Sequence, residues 1–372
     1  MELMEDGTTI ERQMFAMAAE KKVPLYGVLE LLPLCNLNCD MCYVRMSREE
    51  MNRVGRLCTI EEWTGIAEAM MKAGTLFVLL TGGEPLLYPH FRELYQKLRE
   101  LGMIVTINTN GTLIDEKWAD FFAENKPRRM NITLYGAGNE TYERLCHYPG
   151  GFDKAVNGIR LLRERNIDVK VNGSLAKANV DDRMKIIETG ESLGAPVRID
   201  TYMYPSVRER GHAYNVQVRL DPEMAAKARV EILRREMGEE VFAEYRKLRL
   251  DEAHNTPEGE EVPGHMSCRA GQSSFVVNWQ GEMRSCVVLD KPSISLRDTG
   301  FEEAWRHTVK ETEGIRTAAR CNSCRLRKVC NTCAAAAIAE TGKADGVPEY
   351  LCRYTEATVR YLKETMEEIV MK

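Results

Sequence analysis

Residues 26–43 read YGVLELLPLCNLNCDMCY, a short apolar run that ends in three cysteines spaced Cys35-x3-Cys39-x2-Cys42. A run this short and apolar, stopped by Pro33, reads as a buried strand rather than a helix. The pattern repeats down the chain. Strands are expected near 26–32, 76–80, 103–108, 130–135, 167–173 and 197–203, with amphipathic helices over 60–73, 90–101, 115–124, 152–165 and 181–193 between them. The first of these helices opens on Thr59-x-x-Glu62, a capping box whose hydroxyl and carboxylate satisfy orphan backbone N–H groups. Strand–helix alternation of this kind predicts an α/β fold built on a parallel sheet. Such folds bind ligands at the carboxyl ends of their strands, so the residues delivered there decide the chemistry.

The rest of the composition narrows the class. The 372 residues, 44% apolar, suffice for one large domain and a smaller one. Lys and Arg total 51 against 56 Asp and Glu, a formal charge of -5, and no basic block is present to track nucleic-acid phosphates. The first 22 residues mix acids and bases without the apolar stretch of a signal peptide, and no later run approaches the ~20 apolar residues of a membrane span. A soluble, cytoplasmic protein that binds neither nucleic acid nor membrane is expected. Twelve cysteines in a reducing cytosol point to metal binding or chemistry rather than disulfides. Three lie in 35–42 and seven in 268–352, while Cys58 and Cys146 stand apart and read as structural.

Three thiolates as close as Cys35, Cys39 and Cys42 can hold three corners of an iron–sulfur cubane and leave one iron open. The zinc alternative wants a fourth Cys or His, and no His precedes His90. The second strand delivers Thr81-Gly82-Gly83-Glu84-Pro85, where the glycines allow close backbone approach and Glu84 offers a carboxylate to an amino group. The third delivers Asn108-Thr109-Asn110-Gly111.

The cysteine spacing, the aromatic Tyr43 that follows it and the GGEP on the next strand together resemble the radical S-adenosylmethionine (SAM) superfamily. The resemblance covers roughly residues 26–203 and implies a partial (β/α)6, TIM-like barrel. It implies that Cys35, Cys39 and Cys42 hold a 4Fe–4S cluster whose fourth iron is chelated by SAM, and that residues 81–85 contact the methionine amino group. Tyr43 would lie near the adenine and Asn108 would face the cofactor. Thr133, Asn172 and Ser174 match where ribose contacts fall, and Asp200 and Tyr202 would meet adenine or substrate.

The second cysteine group reads Cys268-x12-Gly281-x4-Cys286, then Cys321-x2-Cys324-x5-Cys330-x2-Cys333, then Cys352. It resembles the SPASM extension of radical SAM enzymes, apart from a last tight spacing of x2 where x3 is usual. The resemblance implies two auxiliary 4Fe–4S clusters, three clusters in all. Cys321, Cys324, Cys330 and Cys352 would close one. Cys268, Cys286 and Cys333 would hold the other, with an open iron or its capture by His265, water or substrate. A zinc ribbon on Cys321, Cys324, Cys330 and Cys333 is the alternative. The expected organisation is an N-terminal extension (1–25), the partial barrel (26–220), a helical bridge and linker (221–264), a Cys-rich, helix-poor auxiliary-cluster domain (265–352) and a closing helix (353–372).

The resemblance implies reductive cleavage of SAM to a 5′-deoxyadenosyl radical and hydrogen abstraction from a peptide, most like the maturases of ribosomally made peptides that form thioether or C–C crosslinks or alter side chains. The partners would be a peptide and an external electron donor such as flavodoxin or ferredoxin. Only about 25 residues precede the first strand, short of the winged-helix leader-recognition domain of many peptide maturases, so either a separate protein binds the leader, or the barrel itself recognises it, or the substrate is not such a peptide. The alternatives are an anaerobic sulfatase-maturing enzyme, with Asp200 or Asp290 as base, a non-enzymatic iron–sulfur electron carrier, and action on a small molecule.

Overall fold

A computed structural model describes residues 9–204, 218–256 and 268–370. The first strand, β1 (Tyr26–Glu30), is preceded by helix α1 (Thr9–Lys21). After it come α2 (Arg48–Val54), α3 (Ile60–Lys72), β2 (Phe77–Thr81), α4 (Phe91–Glu100), β3 (Ile104–Thr109), α5 (Glu116–Glu124) and β4 (Arg129–Thr133). The chain continues through α6 (Asn139–Cys146), α7 (Gly151–Glu164), β5 (Val169–Ser174), α8 (Arg183–Ser192) and β6 (Val197–Asp200). Strands β1 to β6 pair in sequence order, all parallel, as right-handed βα units demand. Met130, Ile132, Val169, Val171 and Ile199 are fully buried on the convex side under the helices. By the two-residue alternation of strands, Asn131, Thr133, Asn172, Ser174 and Asp200 therefore project from the concave side. Thr59 and Glu62 form the expected capping box at α3.

Helix α1 covers the amino ends of the strands. Phe15 stacks on Phe77 at 5.4 Å between ring centroids, and the Arg269 guanidinium lies 3.6 Å over the Phe15 ring. One end of the barrel is thus filled by aromatic packing, which leaves chemistry to the other.

The chain then forms α9 (Pro222–Asn255), interrupted at Gly238 where φ is 72°. Strands β7 (Ser274–Val277), β8 (Glu282–Arg284) and β9 (Ile294–Ser295) follow, then α10 (Leu296–Thr299), α11 (Phe301–Gly314), α12 (Ala319–Asn322), α13 (Ala334–Thr341) and α14 (Glu349–Val370). Strand β7 pairs parallel with β1, and the β7–β8–β9 meander extends the sheet to the order β6-β5-β4-β3-β2-β1-β7-β8-β9. The Cys-rich part is not helix-poor as expected. Phe301, Ala304, Trp305, Thr308 and Thr312 make one buried face of α11 at helical spacing. Helices α9 and α14 pack along each other through Val230, Leu233, Phe242 and Leu362.

A buried cation ties the end of β6 to this second part. Arg219, 6% exposed, pairs with Glu340 on α13 at 3.1 Å, lies 3.3 Å over the Tyr350 ring of α14 and 5.0 Å from the Tyr202 ring. Removing one member of a buried pair strands the other charge. Arg219→Ala is therefore expected to lower unfolding stability by about 3 kcal/mol, and the double change with Glu340→Ala to recover part of it, both read from urea midpoints.

Candidate active site at the carboxyl ends of the strands

Beyond β1 the chain runs as residues 31–34 directly against the turn after β2. Leu31 N donates to the Thr81 carbonyl (2.9 Å), Gly83 N to that of Leu32 (2.7 Å) and Glu84 N to that of Leu34 (2.9 Å). This contact explains both glycines. A Cβ on Gly82 would come 2.6 Å from the Leu32 oxygen and one on Gly83 2.3 Å from the Leu34 oxygen. The 81–85 turn and the cysteine loop are therefore one backbone unit.

The sulfurs in that loop are held by amides. Leu37 N donates to Cys35 Sγ at 3.4 Å and Arg45 N to Cys42 Sγ at 3.2 Å. The Asn110 amide, fixed by Asn36 (2.9 Å) and Thr112 (2.6 Å), reaches Cys35 Sγ at 3.7 Å. Burial pushes the Cys35 thiol far up, with the negative charges of Glu84, Cys39 and Cys42 adding to it. Sulfurs that receive N–H donors yet sit in a site hostile to bare thiolates suit a bound cationic centre, which supplies the missing counter-charge. The donor set fits an iron–sulfur cluster.

Two neighbours of this loop were not evident from the sequence. Cys146, fully buried at the end of α6, hydrogen-bonds to the Cys39 side chain, and this bond followed by burial raises the Cys39 thiol. Asn38 N and Asp40 N donate to the Cys146 and Leu145 carbonyls, both at 3.0 Å. Tyr135, just past β4, has its phenol held well above the usual value by burial first, with the charges of Cys39, Cys146, Cys35 and Cys42 adding to it.

Glu84 is fully buried. Its oxygens accept from Thr109 Oγ1 (2.8 and 2.9 Å), Asn110 N (2.9 Å) and Leu86 N (3.1 Å), so the carboxylate joins the end of β2 to the end of β3. Burial pushes its pKa up to about 7, against these hydrogen bonds. Asn108 accepts from Asn131 Nδ2 at 2.8 Å, and the register sets Thr133 beside Asn172 and Ser174 beside Asp200. Asp200 is exposed and 3.5 Å from Arg198, Asp290 is exposed, and Tyr43 is 37% exposed.

In the second part, Cys321, Cys324, Cys330 and Cys352 lie within electrostatic reach of one another, and burial with Glu349 pushes Cys352 up to about 11. Cys268, Cys286 and Cys333 lie within electrostatic reach of one another, and Cys333 also reaches Cys330 of the first group. Here too amides point at sulfur: Val288 N to Cys286 (3.4 Å), Leu326 N to Cys324 (3.3 Å) and Ala336 N to Cys333 (3.3 Å). Among the described residues no three His, Cys, Asp or Glu side chains close on one point as the ligands of a single ion do. His265 lies outside the described residues. Cys58, 2% exposed, accepts from Arg297 at 3.6 Å where α3 meets the meander, a packing role.

An open α/β barrel with a three-cysteine loop after its first strand and a cysteine-rich partner fused to its sheet defines a class of cluster-bearing enzymes. Residues 29–190 match the model of the Radical SAM superfamily: the chain carries a radical SAM domain and is an enzyme. It is 25% identical over 345 residues to the AdoMet-dependent heme synthase of Methanosarcina barkeri, covering 88% of this chain and 95% of that protein. It is 26% identical over 276 residues to the antilisterial bacteriocin subtilosin biosynthesis protein AlbA of Bacillus subtilis, covering 73% of this chain and 57% of that one. Streptococcus suis SuiB, solved with its precursor peptide SuiA, superposes with a TM-score of 0.63 at 18% identity over 92% of this chain and 80% of that one, which shows the shared fold. The superfamily implies SAM and a 4Fe–4S cluster. Among the described residues no helix is long and apolar enough to cross a membrane.

Proposed function

We propose that this enzyme abstracts a hydrogen atom from a peptide substrate, a ribosomally made peptide undergoing crosslinking or another side-chain modification. The observation that carries the reading is the sheet's asymmetry. Its β1 side is continued by β7 to β9, whereas β6 has β5 as its one partner among the described residues. Among the described residues the concave wall therefore ends at β6, where Asp200 pairs with Ser174, and an extended chain can lie along the barrel mouth there.

In this reading Cys35, Cys39 and Cys42 hold the SAM-binding cluster. Cys321, Cys324, Cys330 and Cys352 hold a closed auxiliary cluster, and Cys268, Cys286 and Cys333 an open one. When bound, SAM and the cluster supply the 5′-deoxyadenosyl radical after one electron arrives from a donor such as flavodoxin or ferredoxin. The chain's own residues orient and seal. The 81–85 turn fixes the cysteine loop, the Asn110 amide and the Leu37 and Arg45 N–H groups stabilise sulfur charge, and α1 closes the far end against water.

A second reading is favoured by the near full-length similarity to a heme synthase: an iron porphyrin in place of a peptide. The anaerobically reconstituted protein, given SAM and a strong reductant, is expected to form 5′-deoxyadenosine, and Cys35→Ala to form none. Cysteine-containing precursor peptides are expected to lose hydrogen masses. Turnover of iron coproporphyrin with no change in any peptide would overturn the peptide reading. Formylglycine in a sulfatase-motif peptide would replace it with the sulfatase-maturing alternative.

A further inference from the structure

Cys286 and Cys333 pack against one small apolar cluster of Ala270, Leu289, Ala334 and Ala335, and Cys268 joins them through mutual charge. Cys333 is the N-cap of α13, so the positive end of a helix dipole also faces its sulfur. From the barrel side, four residues past β6, comes Tyr204. Its Oη lies 3.7 Å from Cys333 Sγ, and its ring meets that of Tyr202 edge-on at 5.0 Å. Tyr202 is in turn fixed by Arg219 and by the Tyr350 ring at 5.7 Å.

We infer that Tyr204 is a positioning residue for the auxiliary cluster of Cys268, Cys286 and Cys333, its O–H donating a hydrogen bond to the Cys333 sulfur and setting that cluster's reduction potential. The inference rests on the reading that these three cysteines hold iron. With both groups protonated, either can donate. A cysteine bound to iron has given up its proton and can only accept, so the phenol must be the donor. Hydrogen bonds to ligand sulfur are among the levers that set cluster potentials, because they stabilise the more negative, reduced form. The same residue ties the end of β6, where substrate would lie, to the ligand-poor cluster.

The test compares the wild type, Tyr204→Phe and Tyr204→Ala after anaerobic reconstitution. Iron per chain is counted, and midpoint potentials are measured by redox titration followed by electron paramagnetic resonance. Tyr204→Phe keeps the ring and its packing and is expected to bind the same iron. One auxiliary signal should move to a more negative midpoint, while the SAM-sensitive signal and the other auxiliary signal stay fixed. Identical midpoints in Tyr204→Phe and the wild type overturn the inference, whatever Tyr204→Ala does, since a shift in the alanine variant alone reports packing. Wild-type protein carrying iron for only two clusters sinks the auxiliary-cluster reading and the inference with it.

Discussion

Alanine at Gly83 is expected to cut 5′-deoxyadenosine formation by on the order of a hundredfold and to lower stability by about 1–3 kcal/mol. The added Cβ would stand 2.3 Å from the Leu34 oxygen, 2.7 Å from its carbonyl carbon and 3.0 Å from the Pro33 oxygen. These are backbone atoms, so no side chain can swing away. Relief must come from moving residues 33–35, and Cys35 moves with them. Near-ångström displacement of a reacting group suffices for a loss of this size. The control is Gly138→Ala, where a Cβ meets nothing within 4 Å. Iron content, cleavage rate and urea midpoint of the two variants decide the matter. Wild-type cleavage by Gly83→Ala would mean that the turn and the cysteine loop are not mechanically joined.

Glu84→Ala is expected to cost still more. It strands the Thr109 hydroxyl and the Asn110 and Leu86 N–H groups in a fully buried site, at about 1–3 kcal/mol for each unsatisfied donor. Glu84→Gln keeps the shape and one acceptor and should fall between alanine and the wild type. The glutamine variant also isolates a pH effect. Burial raises the carboxyl from 4.5 to about 7, so between those values the folded chain holds a proton that the unfolded chain has released. The group's contribution is then complete below about pH 4.5 and is lost as pH rises through 7, a span of about 3 kcal/mol at 1.36 kcal/mol per pKa unit. Urea midpoints measured from pH 5 to 8 on the metal-free protein should show this decline in the wild type and a flatter profile in Glu84→Gln. Parallel profiles would remove Glu84 as its source.

The sequence announces the features whose physics is local. Short apolar runs before cysteines and glycines give β1 to β5 within a residue or two, while β6 stops at Asp200, three residues before the expected end, and Thr59-x-x-Glu62 caps α3 because a capping box needs only four residues. The GGEP turn was legible since glycine is what a close backbone approach requires. Features made by the fold itself were not. Nothing near Cys146 says that α6 will dock on the cysteine loop, because the two backbone bonds responsible join positions more than a hundred residues apart. Glu84 read as a ligand for an amino group, and only the structure places the end of β3 against it. Helix α11 follows the 3.6-residue pattern, but two of its five buried positions are threonines, Thr308 and Thr312, so its apolar stripe is weak in the sequence.

The parallel ladder between β1 and β7 has a consequence for biogenesis. Tyr26, Gly27, Val28 and Leu29 pair with Ser274, Phe275, Val276 and Val277. During synthesis β1 emerges among the first elements, yet one of its flanks waits for a partner translated about three-quarters of the way along the chain. Until then it presents an unsatisfied edge next to the loop of Cys35, Cys39 and Cys42. A nascent or truncated product lacking residues beyond 264 would carry that sticky edge permanently, making partial chains prone to aggregate.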